Sequence, residues 1–250
     1  NEAAIRAAEI EETEACADDE YDDGHRGRIA NLMRRLRGDG YRIWTAHVSF
    51  PTVLASKLAN TSEIERVSLG VGRSGDDWYE RAAVGGILQL PCGSSLRLYA
   101  THLNHIDSSD LYSKFFGMRR SQAQTLLSHL AHAEPPAPIL VVGDFNQARR
   151  RDYSPEEWQI IESGLSRLEA PSDDGVCGAF YESGFACAPD MPAASRNWPH
   201  GALPPPTHWT GTMIDYSFAK GLALLGHYVI PVCMSDHLPV VCDWEVAAAE

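Results

Sequence analysis

Four short polar clusters in this sequence carry residue types that could do hydrolytic chemistry, and each lies at the end of or beside an apolar, strand-like run. They are Thr101-His102-Leu103, Gly143-Asp144-Phe145-Asn146, Ile214-Asp215-Tyr216 and Ser235-Asp236-His237. Together they supply carboxylates, an amide and two imidazoles, which suit a hard divalent cation, a polarised phosphate and an activated water. One such motif alone is weak, but four of them on four strands predict side chains that converge on one site.

Hydrophobic periodicity predicts the helices of this scaffold. Apolar residues at helical spacing indicate amphipathic helices over residues 26–37 and 119–131. A third helix should begin after Ser154, because Ser154-Pro155-Glu156-Glu157 has the form of a capping box with proline at the first helical position. The apolar stripe expected on that helix is Trp158, Ile160, Ile161 and Leu165.

Strands are predicted from short apolar runs bounded by turn residues. Residues 82–90 and 96–100 flank a Pro-Cys-Gly-Ser-Ser turn and form a hairpin whose second strand delivers His102. Residues 138–142 form a buried strand that leads into Asp144. Residues 172–206 are rich in Pro, Gly and Ala and are predicted to be a loop that contacts substrate.

Composition bounds the class of protein. The chain has 250 residues, 44% of them hydrophobic and 22% charged, which are values of an ordinary globular domain. No apolar run approaches about 18 residues, so no transmembrane segment is expected. The net charge of −13 argues against an extended basic face for non-specific nucleic-acid binding. A nuclease remains compatible with it, because a metal ion and a few local arginines can supply the positive charge.

The four motifs, in this order, resemble those of the endonuclease/exonuclease/phosphatase superfamily, which includes deoxyribonuclease I, and the resemblance covers residues 50 to 246. It implies an α/β (α+β) fold: a four-layer sandwich of two packed, mostly antiparallel sheets flanked by helices. It also implies one domain over residues 1–250, whose first strand is atypical or absent. The active site of such a fold lies at one rim of the sheets.

The resemblance further implies which residues hold the metal and activate water. Glu12 and Asp236 would bind Mg²⁺ or Mn²⁺, with Glu11 as the alternative to Glu12. His237 would be the general base, and Asp215 would pair with it, as a carboxylate orients the histidine of a hydrolase triad.

The remaining matched positions are assigned to the nucleophile and the phosphate. Asp144 would orient the nucleophile, and Asn146 would donate to the phosphate. His102 would donate to a phosphate oxygen or to the leaving group. Arg119 matches a helix-borne Arg-x-x-Gln that supports the site and contacts phosphate.

These assignments predict a metal-dependent phosphoesterase. Among the phosphoesterases of the superfamily, a nuclease is favoured. The reasons are the helix after Ser154, which resembles that of deoxyribonuclease I, and the run Arg149-Arg150-Arg151, which is expected to meet a nucleic-acid backbone. Two alternatives stay open: a lipid or inositol-phosphate phosphoesterase with peripheral lipid contact, and a non-catalytic binding module on the same fold. The complete set of chemical residues argues against the binding module.

Two further observations leave alternatives open. Cys177 and Cys187 bracket a short loop and would form a disulfide if the protein is exported; otherwise they are thiols, and the compartment is undetermined. His208 and Trp209 precede the Asp215 strand, where an aromatic ring could stack on a base or sugar or could instead plug the loop onto the core. The sequence does not determine the oligomeric state.

Overall fold

The computed structural model divides the chain into two compact units, which comprise residues 1–43 with 55–57 and residues 44–54 with 58–250. Residues 23–46, 52–60, 64–74, 77–104, 117–134, 136–166, 175–191, 195–199, 202–232 and 235–246 are described. In the first unit, helix α1 (Asp23–Gly38) confirms the helix predicted over 26–37. Lys57 Nζ lies 4.7 Å from the ring centroid of Tyr41 within the same unit.

A seven-stranded sheet forms the centre of the second unit. Its order is β3-β5-β6-β7-β10-β8, with β4 paired to β5, and every pair is antiparallel except the parallel pair β6–β7. The strands are β3 (Ala59–Asn60), β4 (Glu65–Ser74), β5 (Asp77–Gln89), β6 (Ser95–His102), β7 (Ile139–Asp144), β8 (Ala186–Cys187) and β10 (Asp215–Lys220). The predicted hairpin is confirmed as β5–β6.

Two smaller sheets complete the strand set that the structure describes. A three-stranded sheet has the order β12-β11-β9, with β11–β12 antiparallel and β9–β11 parallel. Its strands are β9 (Ser195–Arg196), β11 (Leu222–Val229) and β12 (Val240–Val246). Strands β1 (Arg42–Ala46) and β2 (Thr52–Ser56) pair as a two-stranded sheet.

Alternation along the central strands buries both faces of the seven-stranded sheet. On one face, Tyr99 and Val141 pack in a core with helices α2 (Met118–Ala131) and α4 (Val176–Glu182). On the other face, Leu140 belongs to a cluster against which Trp244 of the three-stranded sheet packs. Since side chains in a strand alternate between faces, this sequence places one sheet between helices and a second sheet. The predicted fold class, with mostly antiparallel packed sheets flanked by helices, is confirmed.

The helix predicted after Ser154 is present as α3 (Pro155–Ser166), and its capping box forms in both directions. The Ser154 N–H donates to Glu157 Oε2 at 2.8 Å, and the Glu157 N–H donates to Ser154 Oγ at 3.2 Å. The expected apolar stripe needs one correction. Trp158 is buried, but Ile160 is 74% exposed and does not belong to the core face.

The prediction of a loop over 172–206 is wrong in part, because this stretch contains helix α4. Gly175, with a φ of 76°, precedes the helix, and Gly178 lies inside it, so its intrinsic helix propensity is low. Burial overrides that propensity: Phe180 is fully buried and stacks on Phe218 with ring centroids 4.4 Å apart.

Two expectations from the sequence can be compared with the structure. Cys177 and Cys187 are separate buried thiols, so the disulfide that would have indicated export is not formed. Among the helices that the structure describes, none combines the length and apolar character needed to cross a membrane.

Candidate active site

Asp144 lies at the centre of the candidate site because the sheet register pairs it with a predicted site residue on each side. The parallel register of β6 and β7 places His102 opposite Asp144, and the antiparallel register of β7 and β10 places Asp215 opposite it. His102 Nε2 lies 3.4 Å from Asp144 Oδ2. Three of the four sequence motifs therefore meet at one end of three neighbouring strands.

The residues beside Asp144 explain why the chain can take this position. Gly143 has a φ of 144°, and a Cβ there would lie 1.9 Å from the Thr101 carbonyl oxygen, so only glycine permits the close approach of β6 and β7. Phe145 is fully buried, and its ring meets that of Phe218 edge-on with centroids 5.0 Å apart. Phe145 thus anchors the strand end in the core, while Asp144 stays partly exposed.

Asn146 is held by four hydrogen bonds in a left-handed conformation, with a φ of 51°. Its N–H donates to Asp144 Oδ1 at 2.8 Å, and its side-chain Nδ2 donates at 3.1 Å both to Asp144 Oδ2 and to the Leu103 carbonyl. Arg119 Nη1 donates to the Asn146 carbonyl. Both amide hydrogens have acceptors, so contact with a phosphate requires a phosphate oxygen to replace one of them.

Helix α2 fixes the two turns that follow β6 and β7. Arg119, which is 6% exposed, holds the backbone of Asn146, and Gln122 Oε1 accepts the Asn104 N–H at 2.9 Å, just beyond His102. The Arg-x-x-Gln spacing thus places both side chains against backbone that follows a site residue. These contacts favour a positioning role for Arg119 over the phosphate contact expected from the sequence.

His237 and Asp215 form a hydrogen-bonded pair, with Nδ1 2.8 Å from Asp215 Oδ2. The other ring nitrogen, Nε2, lies 3.8 Å from Asp144 Oδ2. The hydrogen bond to Asp215 raises the pKa of His237 to about 8, against the opposing effect of burial. The charges of Asp215, Asp144 and Asp236 add to the increase.

The pKa of Asp144 is higher than that of an ordinary surface carboxylate. Burial, followed by the charge of Asp215, raises its pKa to about 7. The Asn146 N–H and the charges of His237 and Arg81 oppose that increase. Arg81 on β5 is 1% exposed. Its influence on Asp144 comes from the fold of β5 rather than from a local motif.

The fourth motif reaches the site through backbone pairing with a second loop. The Trp209 N–H donates to the Asp236 carbonyl at 2.9 Å, and the Leu238 N–H donates to the Thr207 carbonyl at 2.7 Å. This pairing places the ring of His208 beside that of His237, with centroids 4.7 Å apart. From the sequence, His208 was expected either to stack on a base or sugar or to plug the loop onto the core. Its closeness to the Asp215 strand was the one signal for its place in the site.

Asp236 is the carboxylate of the site that is most open to solvent, with a side chain 64% exposed. The hydroxyl of Ser235 donates to its Oδ1 at 2.8 Å, and this hydrogen bond lowers the pKa of Asp236. Its Oδ2 lies 4.0 Å from His208 Nε2. An ionised, exposed carboxylate is the form that a hard cation binds.

Two groups of side chains are close enough to share an ion. Their ligand atoms lie within 4.8 Å of one another in each group, which are His208 with Asp236 and His237, and Asp144 with Asp215 and His237. The second group offers two carboxylates and one imidazole, a set that fits Mg²⁺ or Mn²⁺, whereas the first offers one carboxylate and two imidazoles. Glu12, the second predicted ligand, and its alternative Glu11 lie outside the described residues.

The prediction that three consecutive arginines contact a nucleic-acid backbone is wrong for Arg149. This side chain is 4% exposed, and it donates to both carboxylate oxygens of Asp152 and, at 2.8 Å, to Asp190 Oδ2. Arg150 Nη1 donates to the Tyr153 carbonyl at 3.1 Å. Arg151, with a side chain 61% exposed and 3.2 Å from Asp190, lies at the surface.

The sequence matches the profile of the Endonuclease/Exonuclease/phosphatase family over residues 20–237. No curated protein sequence matches the chain. Solved structures share its fold at low identity. An endonuclease/exonuclease/phosphatase from Beutenbergia cavernae DSM 12333 is 18% identical with a TM-score of 0.58, over 87% of this chain and 57% of that one.

Two further structures of similar fold are a phosphatase and a catalytic domain with bound sulfate. A mannosyl-6-phosphatase from Bacteroides thetaiotaomicron VPI-5482 is 14% identical with a TM-score of 0.52, over 85% of this chain and 82% of that one. The catalytic domain of human nocturnin with bound sulfate is 19% identical with a TM-score of 0.54, over 90% of this chain and 77% of that one. At these identities the likeness shows the fold alone.

Proposed function

We infer the activity from one premise: the chain belongs to the endonuclease/exonuclease/phosphatase family, whose members are hydrolases that act on phosphoester bonds. We propose that it hydrolyses a phosphodiester, with nucleic acid as the favoured substrate, in a reaction that depends on Mg²⁺ or Mn²⁺. The observation that carries this proposal is the hydrogen bond between His237 Nδ1 and Asp215 Oδ2, at the centre of a cluster of carboxylates.

In this proposal His237 and Asp215 act on water as a histidine–carboxylate pair. Because Nδ1 bonds to Asp215, the ring is fixed, and in its neutral form, which predominates above pH 8, Nε2 can take a proton from water. The carboxylate stabilises the imidazolium that results. Asp144 Oδ2, 3.8 Å from Nε2, lies where it can accept a hydrogen bond from the attacking water. Two acceptors then orient the two hydrogens of one water.

The phosphate is held by donors on the neighbouring strand ends. His102, at the end of β6, donates to a phosphate oxygen or to the leaving group, and the Asn146 amide donates once a phosphate oxygen replaces one of its acceptors. Arg119 positions Asn146 from behind. Fixed donors of this kind stabilise charge that develops on a phosphate in the transition state.

A divalent ion would be held by Asp236 and, as the sequence predicts, by Glu12. When bound it would neutralise charge on the phosphate oxygens. The exposed and ionised Asp236 carboxylate supports this assignment.

Two structural features bear on the class of substrate. Burial of Arg149 removes part of the reason for preferring a nucleic acid, while the capping box and helix α3 after Asn146 retain the deoxyribonuclease-like feature. The lipid or inositol-phosphate alternative therefore remains the second candidate. A binding module would not require the His237–Asp215 pair.

A phosphoester panel tests the proposal. Single-stranded and duplex oligonucleotides, plasmid, sphingomyelin, inositol phosphates and mannose 6-phosphate are incubated with excess chelator, then with millimolar Mg²⁺ or Mn²⁺. Metal-dependent release of product from the nucleic acids, absent in His237→Ala, is the expected result. Turnover of the lipid or inositol phosphates alone would support the second candidate, and no turnover of any ester would support a binding module.

A further inference from the structure

Trp209 is exposed at the edge of the candidate site although it is a large aromatic residue. Its exposure is 76%, and no other large hydrophobic residue in the described part of the chain is more exposed. The alternative that this ring plugs its loop onto the core is therefore wrong. An exposed tryptophan at the edge of a site offers an open π-face on which a planar group can stack.

The backbone of Trp209 is held in place on both sides. Its own N–H donates to the Asp236 carbonyl at 2.9 Å, and the Gly211 N–H donates to the His208 carbonyl at 3.0 Å, which closes a four-residue turn. Gly211 has a φ of 81°, a conformation that glycine adopts readily. Thr207, which is fully buried, accepts the N–H groups of Ile214 and Asp215 and ties the turn to strand β10. The ring is thus presented from a fixed backbone.

One imidazole separates this ring from the proposed general base. The rings of Trp209 and His208 have centroids 5.7 Å apart, and those of His208 and His237 have centroids 4.7 Å apart. The angle of 52° between Trp209 and His208 shows that His208 does not stack flat on the indole. His208 therefore does not cover the indole by stacking, and a planar group joined to a phosphate at His237 has one imidazole to span before it meets that ring.

The polar groups of the turn favour a planar ring over a sugar or a lipid. The Thr210 and Thr212 hydroxyls bond to each other at 2.9 Å, and Thr210 bonds to His208 Nδ1 at 2.7 Å. Residues 209–213 carry no charged or amide side chain that would bind vicinal sugar hydroxyls. Insertion into a lipid surface would be expected to use several adjacent apolar residues, whereas Trp209 is followed by Thr, Gly and Thr.

We propose that Trp209 is a base-stacking platform that selects nucleotide phosphoesters, an inference that rests on the proposed phosphoesterase activity at His237. Stacking on an aromatic side chain tolerates any base, because every base has a π-face. The turn then selects substrates that carry a base near the phosphate, and it does not distinguish one base from another.

The first test compares two substrates with the same backbone: a single-stranded oligonucleotide and its abasic counterpart. Trp209→Ala should raise KM for the base-bearing strand about 5- to 100-fold, the range expected for one stacked base, and leave the abasic strand and both kcat values unchanged. Trp209→Phe should retain most of the affinity. Leu203→Ala, which removes another exposed apolar side chain from the same stretch, is the matched control and should change neither. Equal effects of Trp209→Ala on both strands, or no effect, would overturn the proposal.

The second test does not require turnover. Calorimetric titration of the protein with AMP and with ribose 5-phosphate compares ligands that differ only in the base. Wild type should bind AMP more tightly, and Trp209→Ala should lose that preference. If wild type shows no preference, the base platform is refuted even where the protein hydrolyses phosphoesters. If instead Trp209→Ala loses binding to phosphatidylcholine–sphingomyelin vesicles and AMP is not preferred, the indole is a lipid contact and the proposal fails.

Discussion

Asp215 Oδ2 and His237 Nδ1 lie 2.8 Å apart, although 22 positions of sequence separate the two residues. Asp215 is the first residue of β10, where its register opposite Asp144 fixes its backbone. His237 comes from a loop whose backbone is hydrogen-bonded to that of Thr207 and Trp209. The pair therefore depends on a sheet position at one end and on a loop–loop contact at the other.

The first prediction concerns the charge of Asp215. Because the hydrogen bond to Asp215 is the largest cause of the raised pKa, Asp215→Asn should lower the pKa of His237 from about 8 toward its ordinary value of 6.5. NMR titration of the imidazole protons in metal-free protein measures this change. Glu162→Gln on α3 is the control and should leave the His237 titration unaltered. An Asp215→Asn protein with an unchanged titration would show that the pairing is absent in solution.

Removal of the proposed base gives the second prediction. His237→Ala should reduce kcat at least about 10²–10⁴-fold, the usual contribution of general-base catalysis. The fold should survive, because the side chain is 28% exposed and lies outside the hydrophobic clusters. Activity and thermal unfolding are measured on the same preparation. A folded variant that keeps a third of wild-type activity would exclude His237 as the base.

Local patterns predicted those features that local physics determines. The capping box after Ser154 formed as expected because its donors and acceptors lie within three residues of each other. The convergence of the four motifs followed from their positions at strand ends. Helix α4 escaped prediction because its stability comes from Phe180 packed against Phe218, 38 residues further along the chain, and not from its own propensity.

The positions of charged side chains were predicted less well than those of apolar ones. Arg149, Arg150 and Arg151 are identical in type, yet the fold buries the first of them and leaves the other two exposed. Arg149 is buried against Asp152, whose own pKa is raised, chiefly by burial. A run of three arginines does not reveal which member points inward. The same limit applied to Arg81, whose effect on Asp144 crosses between strands.

The third prediction separates metal binding from fold. Excess chelator should abolish hydrolysis, and millimolar Mg²⁺ or Mn²⁺ should restore it. Asp236→Ala should raise the metal concentration needed for half-maximal activity, because a hard cation loses an ionised ligand. Glu245→Ala, which removes another exposed carboxylate on β12, is the control and should leave the metal requirement unchanged. Full activity of the wild type in chelator would refute the metal-dependent mechanism.

The fourth prediction contrasts two neighbouring arginines. Arg149→Ser leaves Asp152 buried without its partner and should reduce the free energy of unfolding by about 3–5 kcal/mol. Arg151→Ser removes an exposed pair and should change stability by less than about 1 kcal/mol. Urea denaturation measures both. If nucleic acid binds here, Arg151→Ser should also reduce the salt dependence of binding by a slope of no more than about 0.9. Equal stability of the two variants would contradict the buried ion pair.

The fifth prediction concerns His227 on β11, a histidine remote from the sequence motifs. It is 1% exposed, and its ring meets Trp198 edge-on with centroids 4.9 Å apart. Burial, with the charges of Arg196 and Arg149, lowers its pKa from 6.5 to about 4. Between these two values the unfolded chain binds a proton that the folded protein does not. The stability that His227 contributes is therefore complete above pH 6.5 and is lost as the pH falls toward 4.

The loss assigned to His227 amounts to about 3 kcal/mol at most, from 1.36 kcal/mol for each pKa unit. The phenylalanine of His227→Phe cannot titrate. Between pH 7 and pH 4, the free energy of unfolding of this variant should therefore fall by about 3 kcal/mol less than that of the wild type. Denaturant unfolding at a series of pH values measures this difference, which is independent of any overall destabilisation by the larger ring. His132→Gln, which alters an exposed histidine after α2, should leave the wild-type pH dependence intact. Parallel pH profiles for His227→Phe and wild type would show that the imidazole is not buried in its neutral form.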